Sequence, residues 1–138
     1  MASPVRSHRF HVNEITGAIV NSAMKAHSLL GPGLLERAYQ FCLAHELRSR
    51  GFDLATEVAL PVVYEGHKLE VGYRLDLVVE GRVVVEVKSV EAIHPIHKAQ
   101  LLSYMRLSGI RVGLLINFNV PRLRDGIKRM VDGQDWNK

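Results

Sequence analysis

Apolar side chains recur at helical spacing over the first fifty residues. From Val12 to Leu30 they stand three or four positions apart, and the Gly31-Pro32-Gly33 run that follows is a strong helix breaker. A second stripe of apolar side chains covers residues 34–50 and stops at Gly51. The pattern predicts two helices before the first strand.

The middle of the chain alternates between apolar and polar side chains, which is typical of strands. Residues 57–64 are rich in Val and Leu, residues 65–68 have the composition of a turn, and residues 69–79 alternate with a period of two. A turn at Glu80-Gly81 leads to a further alternating segment, Val83–Lys88. These segments predict a meander of three antiparallel strands.

The last third of the chain predicts a helix, a buried strand and a closing helix. Pro95–Ser108 has helical spacing and is followed by Gly109, residues 112–118 form an apolar run, and residues 122–131 are amphipathic. A strand, a helix and a strand in succession imply a right-handed parallel crossover. The expected fold class is therefore α/β, with a mixed four-stranded sheet flanked by helices in the order α-α-β-β-β-α-β-α.

The length and the composition fit one domain. The chain has 138 residues, of which 47% are hydrophobic and 23% are charged, as in average soluble proteins. We expect a single domain over residues 1–138, with its core at about residues 12–131. Residues 132–138, which contain a lone Trp136, are expected to form a frayed tail.

Cysteine content, hydropathy and charge narrow the class of protein. A single cysteine, Cys42, excludes an internal disulfide and a cysteine-rich zinc module, so a cytoplasmic location is expected. No apolar run is long enough to span a membrane, so no membrane partner is expected. The 18 Lys and Arg residues outnumber the 14 Asp and Glu residues, and this excess favours a polyanionic partner such as nucleic acid.

The strongest candidate chemistry lies on two neighbouring strands. Asp76 on one strand and Glu86-Val87-Lys88 on the next would bring two carboxylates and an ammonium group together. Mg²⁺ and similar hard cations bind a few carboxylate oxygens, several waters and phosphate oxygens. The alternative interpretation is a solvated sheet face, on which Arg74 and Lys88 pair with the two acids.

Whether the two carboxylates can meet depends on the loop between their strands. Opposed residues of an antiparallel pair point to the same face, so a two-residue turn at Glu80-Gly81 would send Asp76 and Glu86 to opposite faces. A three-residue loop, Glu80-Gly81-Arg82, or a bulge would bring them side by side, and the shared site therefore predicts one of the two. Alternation also predicts one apolar face on the preceding strand, formed by Leu69, Val71, Tyr73, Leu75, Leu77 and Val79.

Two helices carry polar side chains within their apolar stripes. Glu36 shares a helix face with Tyr39, so it is either an acid that packs toward the sheet or an ordinary acid of a helix N-terminus. Gln100 and Tyr104 stand four positions apart on one face of the later helix. There they could meet a phosphate, support a lysine across the sheet, or cap the edge of the core.

Histidines offer weaker candidates for function. His27, near the end of the first helix, either faces a site beside Glu36 or interacts with the carbonyl groups of its own helix end. His94 and His97 are separated by a proline and have no cysteine nearby, which disfavours a zinc site.

Together these residues resemble the PD-(D/E)XK nuclease superfamily, in the subset with a glutamate on the first core helix and a Gln-x-x-x-Tyr motif, as in RecB-like exonucleases. Residues 33–39, Gly-Leu-Leu-Glu-Arg-Ala-Tyr, are similar to the GxxExxY signature of a small bacterial and archaeal family within that superfamily. The similarity extends over about residues 15–130. The residue before Asp76 is Leu75, so the proline of the superfamily's name is absent.

The resemblance implies metal-dependent hydrolysis of phosphodiester bonds in nucleic acid, with DNA as the expected substrate. It implies that Asp76, Glu86 and the backbone carbonyl of Val87 hold Mg²⁺ or Mn²⁺. Glu36 would bind the same metal through water or complete a second metal site. The expected fold is the restriction-endonuclease-like core of the superfamily.

The remaining roles also follow from the resemblance. Lys88 would orient the attacking water and help to neutralise the transition state. Gln100 and Tyr104 would position Lys88 or a substrate phosphate, while Arg74 and Lys98 would contact phosphates of the backbone. A homodimer is plausible, because small single-domain nucleases often pair to act on two strands.

Two alternatives to an enzyme stay open at this point. The first is a nucleic-acid-binding module that uses the nuclease fold without catalysis and binds without a cation. The second is a protein-interaction subunit whose interface includes Leu102 and Trp136. The sequence leaves open whether DNA or RNA is cut and whether cutting is at ends or internal.

Overall fold

The computed structural model describes residues 9–133, and within them three helices flank a five-stranded sheet. The helices are α1 (Val12–Leu30), α2 (Glu36–Ser49) and α3 (Pro95–Ser108). The strands are β1 (Leu54–Ala59), β2 (Val62–Tyr64), β3 (His67–Leu69), β4 (Arg74–Val79), β5 (Val83–Lys88), β6 (Val112–Asn117) and β7 (Ile127–Val131), and a short 3-10 helix covers Leu123–Gly126. The predicted tail from residue 134 onward, with Trp136, lies outside the described residues.

The sheet is mixed, in the order β1-β4-β5-β6-β7. β1, β4 and β5 form an antiparallel meander, β6 runs parallel to β5, and β7 returns antiparallel at the edge. α3 connects β5 to β6, because parallel neighbours need a crossover. Along the chain, β2 and β3 lie between β1 and β4, and they pair with each other as a separate two-stranded hairpin. The α/β class and the restriction-endonuclease-like architecture are thus confirmed.

The two faces of the sheet bury separate clusters of apolar side chains. α1 and α2 cover one face, where Leu43 of α2 and Val85 of β5 belong to the same buried cluster. α3 covers the other face, where Leu101 and Val84 share the second cluster. β5 can serve both faces because four of its six residues are valines, as is typical of a strand that is covered on both sides.

Gly113 on β6 marks the closest approach of α3 to the sheet. A Cβ atom at this position would lie 2.7 Å from the Sδ atom of Met105 and 3.1 Å from a methyl carbon of Leu101. Both contacts are shorter than ordinary van der Waals distance, so the helix sits at a spacing that only glycine permits without a shift.

The predicted closing helix over residues 122–131 is wrong. The segment forms the short 3-10 helix and then the strand β7, which pairs with β6 over the full length of the strand. Its apolar positions fit a helix and a strand about equally well. The free edge of β6 decides between them, because unpaired backbone groups at a buried strand edge need hydrogen-bond partners. The sheet therefore has five strands instead of the predicted four.

Two of the predicted strands are each divided in the structure. The segment predicted at 57–64 becomes β1 and β2, because Pro61 lacks the N–H that a continuous central strand requires. The segment predicted at 69–79 becomes β3 and β4, with a break at Gly72, whose φ is 85°. The predicted turn at 65–68 narrows to the two residues Glu65 and Gly66.

The loop between β4 and β5 has the predicted three residues. Val79 pairs with Val83, which leaves Glu80, Gly81 and Arg82 as the loop, and the first two have φ values of 54° and 65°. The prediction of a three-residue connection is confirmed. The register consequently places position 76 opposite position 86.

The predicted single apolar face of the 69–79 segment is wrong. Leu77 packs in the cluster under α1 and α2, whereas Leu75 packs in the cluster under α3. The alternation of side chains between the two faces is interrupted at Asp76, which has no paired residue on β1 or on β5. The break has a local cause on β1, because Glu57 has a φ of 51° and interrupts the pairing opposite Asp76.

Candidate active site

Asp76 and Glu86 lie side by side on adjacent strands. The N–H of Asp76 donates to Oε1 of Glu86 over 3.3 Å, and the N–H of Val87 donates to Oδ2 of Asp76 over 2.8 Å. Each carboxylate is therefore oriented by a backbone N–H of the opposite strand. This reciprocal arrangement depends on the three-residue loop, because a shorter connection would shift one strand by a residue.

Burial and proximity make the two carboxyl groups costly to ionise together. Glu86 is only 6% exposed. Burial and, after it, the charge of Asp76 raise the pKa of Glu86 to about 8. Burial also raises the pKa of Asp76, although the N–H of Val87 acts in the opposite direction. Glu86 therefore keeps its proton at neutral pH, even with the charge of Lys88 included.

Lys88 supplies a positive charge close to both acids. It follows Glu86 by two positions on β5, so the two side chains leave the strand on the same face. Its positive charge favours the ionised carboxylates and thereby offsets part of the increase in the pKa of Asp76 and of Glu86. Its carbonyl oxygen accepts the N–H of Phe118 over 2.9 Å, which fixes the backbone at the end of the strand.

The segment after Lys88 is tied to two neighbouring elements. Ser89 donates its N–H to Oε2 of Glu36 over 3.2 Å and its hydroxyl to the carbonyl of Leu34 over 2.5 Å. Val90 exchanges two hydrogen bonds of 3.0 Å with the side chain of Asn117, which is 2% exposed. Sequence reasoning missed this function of Asn117, although a polar residue that ends a buried apolar strand was a usable signal.

Glu36 stands at the first residue of α2, beside the end of β5. Tyr39 holds the preceding turn in place, because its buried hydroxyl donates to the carbonyl of Gly31 and accepts the N–H of Leu34. The Tyr39 ring stacks on Phe118 with centroids 4.4 Å apart. The glycine-to-tyrosine motif is therefore a structural clamp that sets where Glu36 enters the site.

α3 brings an aromatic side chain to the same region. Tyr104 packs against the buried cluster that contains Leu75, the residue before Asp76, and its pKa is raised by burial and then by the charges of Glu86 and Asp76. The ring of Tyr104 lies 5.8 Å from the ring of Tyr73, measured between centroids. Gln100, one turn earlier on α3, is exposed to solvent.

The two predicted phosphate contacts, Arg74 and Lys98, are exposed. Arg74 is the first residue of β4, two positions before Asp76, and Lys98 is in the first turn of α3. Each lies on an element that contributes to the site, and each side chain is accessible to a ligand in solvent.

Two further polar residues near Asp76 were missed by sequence reasoning. The side-chain amide of Gln40 donates to Glu57 over 3.0 Å and to the carbonyl of Asp76 over 3.4 Å. The charge of Glu57 contributes to the raised pKa of Asp76. Gln40 was detectable, since it follows Glu36 by four positions and shares its helix face. Glu57 was not, because its placement depends on a positive φ inside a strand.

The histidines lie outside the site. His27 donates its Nε2–H to the carbonyl of Val120 over 2.8 Å, so neither of its two predicted environments is correct. The ring of His97 accepts the N–H of His94 through Nδ1 over 3.0 Å and caps the start of α3. This cap accounts for the pair without a metal.

The chemistry of the acidic pair fits a hard divalent cation. The buried Glu86 and the partly buried Asp76 repel each other when both are ionised, and a cation that neutralises both would stabilise them. Oxygen donors are the ligands that Mg²⁺ and Mn²⁺ prefer. Within residues 9–133 no three side chains of His, Cys, Asp or Glu converge as a metal-binding cluster. A cation at Asp76 and Glu86 would therefore take its other ligands from the backbone and from water.

Comparisons with known proteins place the chain at the level of a superfamily. The sequence profile of the PD-(D/E)XK nuclease superfamily matches residues 13–130. No curated protein and no solved structure matches the chain significantly. None of the helices between residues 9 and 133 has the length and the apolar character that crossing a bilayer demands. The match covers most of the chain and the whole candidate site, so the protein belongs to the PD-(D/E)XK nuclease superfamily.

Proposed function

We propose that this protein is a divalent-metal-dependent nuclease that hydrolyses phosphodiester bonds, with DNA as its substrate. The observation that carries the proposal is the reciprocal backbone bonding of Asp76 and Glu86, with Lys88 on the same strand face as Glu86. Glu86 is buried and Asp76 is partly buried, the pKa of each is raised, and no salt bridge within residues 9–133 includes either of them, so their ionisation costs folding energy. Such a cost is typical of a functional site.

In this proposal Asp76, Glu86 and the carbonyl of Val87 hold the cation. When bound, Mg²⁺ or Mn²⁺ supplies a more acidic water and neutralises charge on the phosphate. Lys88 orients the attacking water and stabilises the negative charge of the transition state. Glu36, beside the end of β5, would act through water.

The outer residues of the site bind and align the substrate. Tyr104, close to the acids, positions Lys88 or a phosphate, and Gln100 meets the substrate from the solvent side of α3. Arg74 and Lys98 contact phosphates on either side of the scissile bond. Their exposure is compatible with this function, because a phosphate backbone approaches from solvent.

The finer assignments belong to the same proposal. The motif at residues 33–39 supports the GxxExxY family and the RecB-like branch, because Tyr39 and the turn it clamps place Glu36 beside β5. The single cysteine supports a cytoplasmic location. Pairing of two copies would allow both strands of a duplex to be cut, and sedimentation at micromolar concentration measures it.

A cleavage assay tests the proposal directly. Single-stranded and double-stranded DNA and RNA are incubated with the protein in Mg²⁺, in Mn²⁺ and in EDTA. We expect products with either metal, none in EDTA, and none with Asp76→Asn. Glu91→Gln, which changes an exposed acid outside the site, serves as the matched control and should cleave normally. Cation-independent binding without cleavage of any substrate would favour the binding-module alternative.

A further inference from the structure

Tyr73 is an exposed aromatic residue directly before β4, the strand that carries Asp76. Tyr73 immediately precedes β4, and its carbonyl accepts the N–H of Leu60 over 2.9 Å, so its backbone is fixed. The side chain belongs to neither buried cluster, and the residue is 46% exposed. A tyrosine in this position contributes little to the core, although its backbone is held in place.

Tyr73 and Tyr104 form an open pair of rings. Their centroids are 5.8 Å apart and their planes are inclined by 44°, so the rings touch at an angle and do not stack on each other. Tyr104 is held by α3, where it packs against the second buried cluster. One ring is thus fixed by the core and the other is accessible to a ligand.

This pair lies next to the place where a phosphate would react. Tyr73 stands three positions before Asp76, and Tyr104 packs against the buried cluster that contains Leu75, the neighbour of Asp76 on β4. A nucleic acid whose phosphate lies at the two acids carries its nearest base within a few ångströms of that phosphate. Aromatic rings at this distance are suited to contact that base.

We propose that Tyr73 and Tyr104 form a stacking platform for an unpaired base, so that the protein binds single-stranded nucleic acid. The inference rests on the proposed function and specifies its substrate class. In a duplex the faces of each base are covered by its neighbours, whereas an unpaired base can offer a face to a ring. Stacking on an aromatic side chain also adds affinity where the acids repel the phosphate backbone.

Binding to strands with and without bases tests the platform. Fluorescence anisotropy in EDTA measures the affinity of the full chain for a short single strand, for an abasic strand of the same length and charge, and for the blunt duplex. We expect the base-containing single strand to bind most tightly. Tyr73→Ala should weaken its binding by about tenfold and should leave abasic binding unchanged.

Matched variants separate stacking from structural support. Tyr73→Phe keeps the ring and should bind like the original protein. Tyr64→Ala removes another exposed tyrosine, which has no aromatic partner among the described residues, and should also bind normally. The proposal is overturned if Tyr73→Ala weakens abasic and base-containing strands equally, if the duplex binds as tightly as the single strand, or if no strand binds.

The same variants distinguish a failure of the platform from a failure of the nuclease. Tyr73-dependent binding of single strands without cleavage in Mg²⁺ or Mn²⁺ would keep the platform and remove the proposed activity. Metal-dependent cleavage of duplex and single strand at equal rates, unchanged in Tyr73→Ala, would keep the activity and remove the platform.

Discussion

Glu86 illustrates how one side chain can serve the site at a cost to the fold. Its pKa is raised from an ordinary value of 4.5 to about 8 by burial and by the charge of Asp76. A group that binds its proton more tightly in the folded state stabilises the fold at low pH, and this contribution is lost as the pH rises toward the folded-state pKa. Between about pH 4.5 and pH 8, Glu86 is ionised in the unfolded chain but keeps its proton in the folded one, so the free energy of unfolding falls as the pH rises.

The first prediction concerns this pH dependence. In EDTA, Glu86→Gln should be more stable than the original protein at pH 9 by about 1–3 kcal/mol, and nearly equal to it at pH 5, because glutamine stays neutral. Thermal unfolding at the two pH values measures the difference. Adding Mn²⁺ at pH 8 should stabilise the original protein and leave Glu86→Gln unchanged. Equal pH profiles of the two proteins would contradict the raised pKa.

The second prediction concerns Lys88. Lys88→Ala should reduce cleavage at least about a hundredfold, because the charge that stabilises the transition state is removed. Metal binding by isothermal titration and the unfolding temperature should change little, since the ammonium group makes no ion pair among residues 9–133. Lys128→Ala, an exposed lysine on β7, is the control. Full activity of Lys88→Ala would remove the proposed mechanism.

Among the elements, the turn between α1 and α2 has the clearest effect on the site. Tyr39 bridges Gly31 and Leu34 with its hydroxyl, and the same turn carries the carbonyl of Leu34 that accepts from Ser89. Without this hydroxyl, the carbonyl of Gly31 and the N–H of Leu34 lose the hydrogen bonds that hold the two ends of the turn. The start of α2, and with it Glu36, then loses a fixed position relative to β5.

The third prediction tests this clamp. Tyr39→Phe should lower the free energy of unfolding by about 1–2 kcal/mol, because the carbonyl of Gly31 and the N–H of Leu34 lose their shared hydrogen-bond partner. Cleavage should fall as well, although Tyr39 touches no substrate. Denaturant unfolding and cleavage rates are the measurements, and Tyr64→Phe, whose hydroxyl is exposed, is the control. A variant with lower stability and unchanged cleavage would show that the Tyr39 hydroxyl stabilises the fold without affecting the site.

Local pattern and register were sufficient to predict much of this layout. The helix α1 ends where the glycine-proline breaker at residues 31–33 predicts, and the three-residue loop between β4 and β5 follows from period two once Asp76 and Glu86 are assigned to one site. The strand β7 was not predictable, because its conformation depends on the free edge of β6, which is distant in sequence. The position of Glu57 was not predictable either, because a positive φ inside a strand has no sequence signal at a glutamate.

At the scale of the whole molecule, the net charge of +4 sets the response to salt. The fourth prediction is that binding of nucleic acid weakens steeply as salt increases, because phosphate contacts release counterions. Lys98→Ala should reduce the slope of log affinity against log salt by about 1. Lys25→Ala, a lysine paired with Glu46 on α2, should leave the slope unchanged. A slope near zero in the original protein would contradict phosphate-driven binding.

The glycine at position 113 has a consequence for how relatives of this protein can diverge. Since a Cβ there would press on Met105 and Leu101, the sizes of the three residues are linked. A relative with alanine at 113 is expected to carry a smaller residue at 105 or 101, so these positions should covary. Alanine alone would force the ends of the Met105 and Leu101 side chains to shift on α3, the helix that also carries Tyr104, so a position hidden in the core limits how the helix next to the site can be packed.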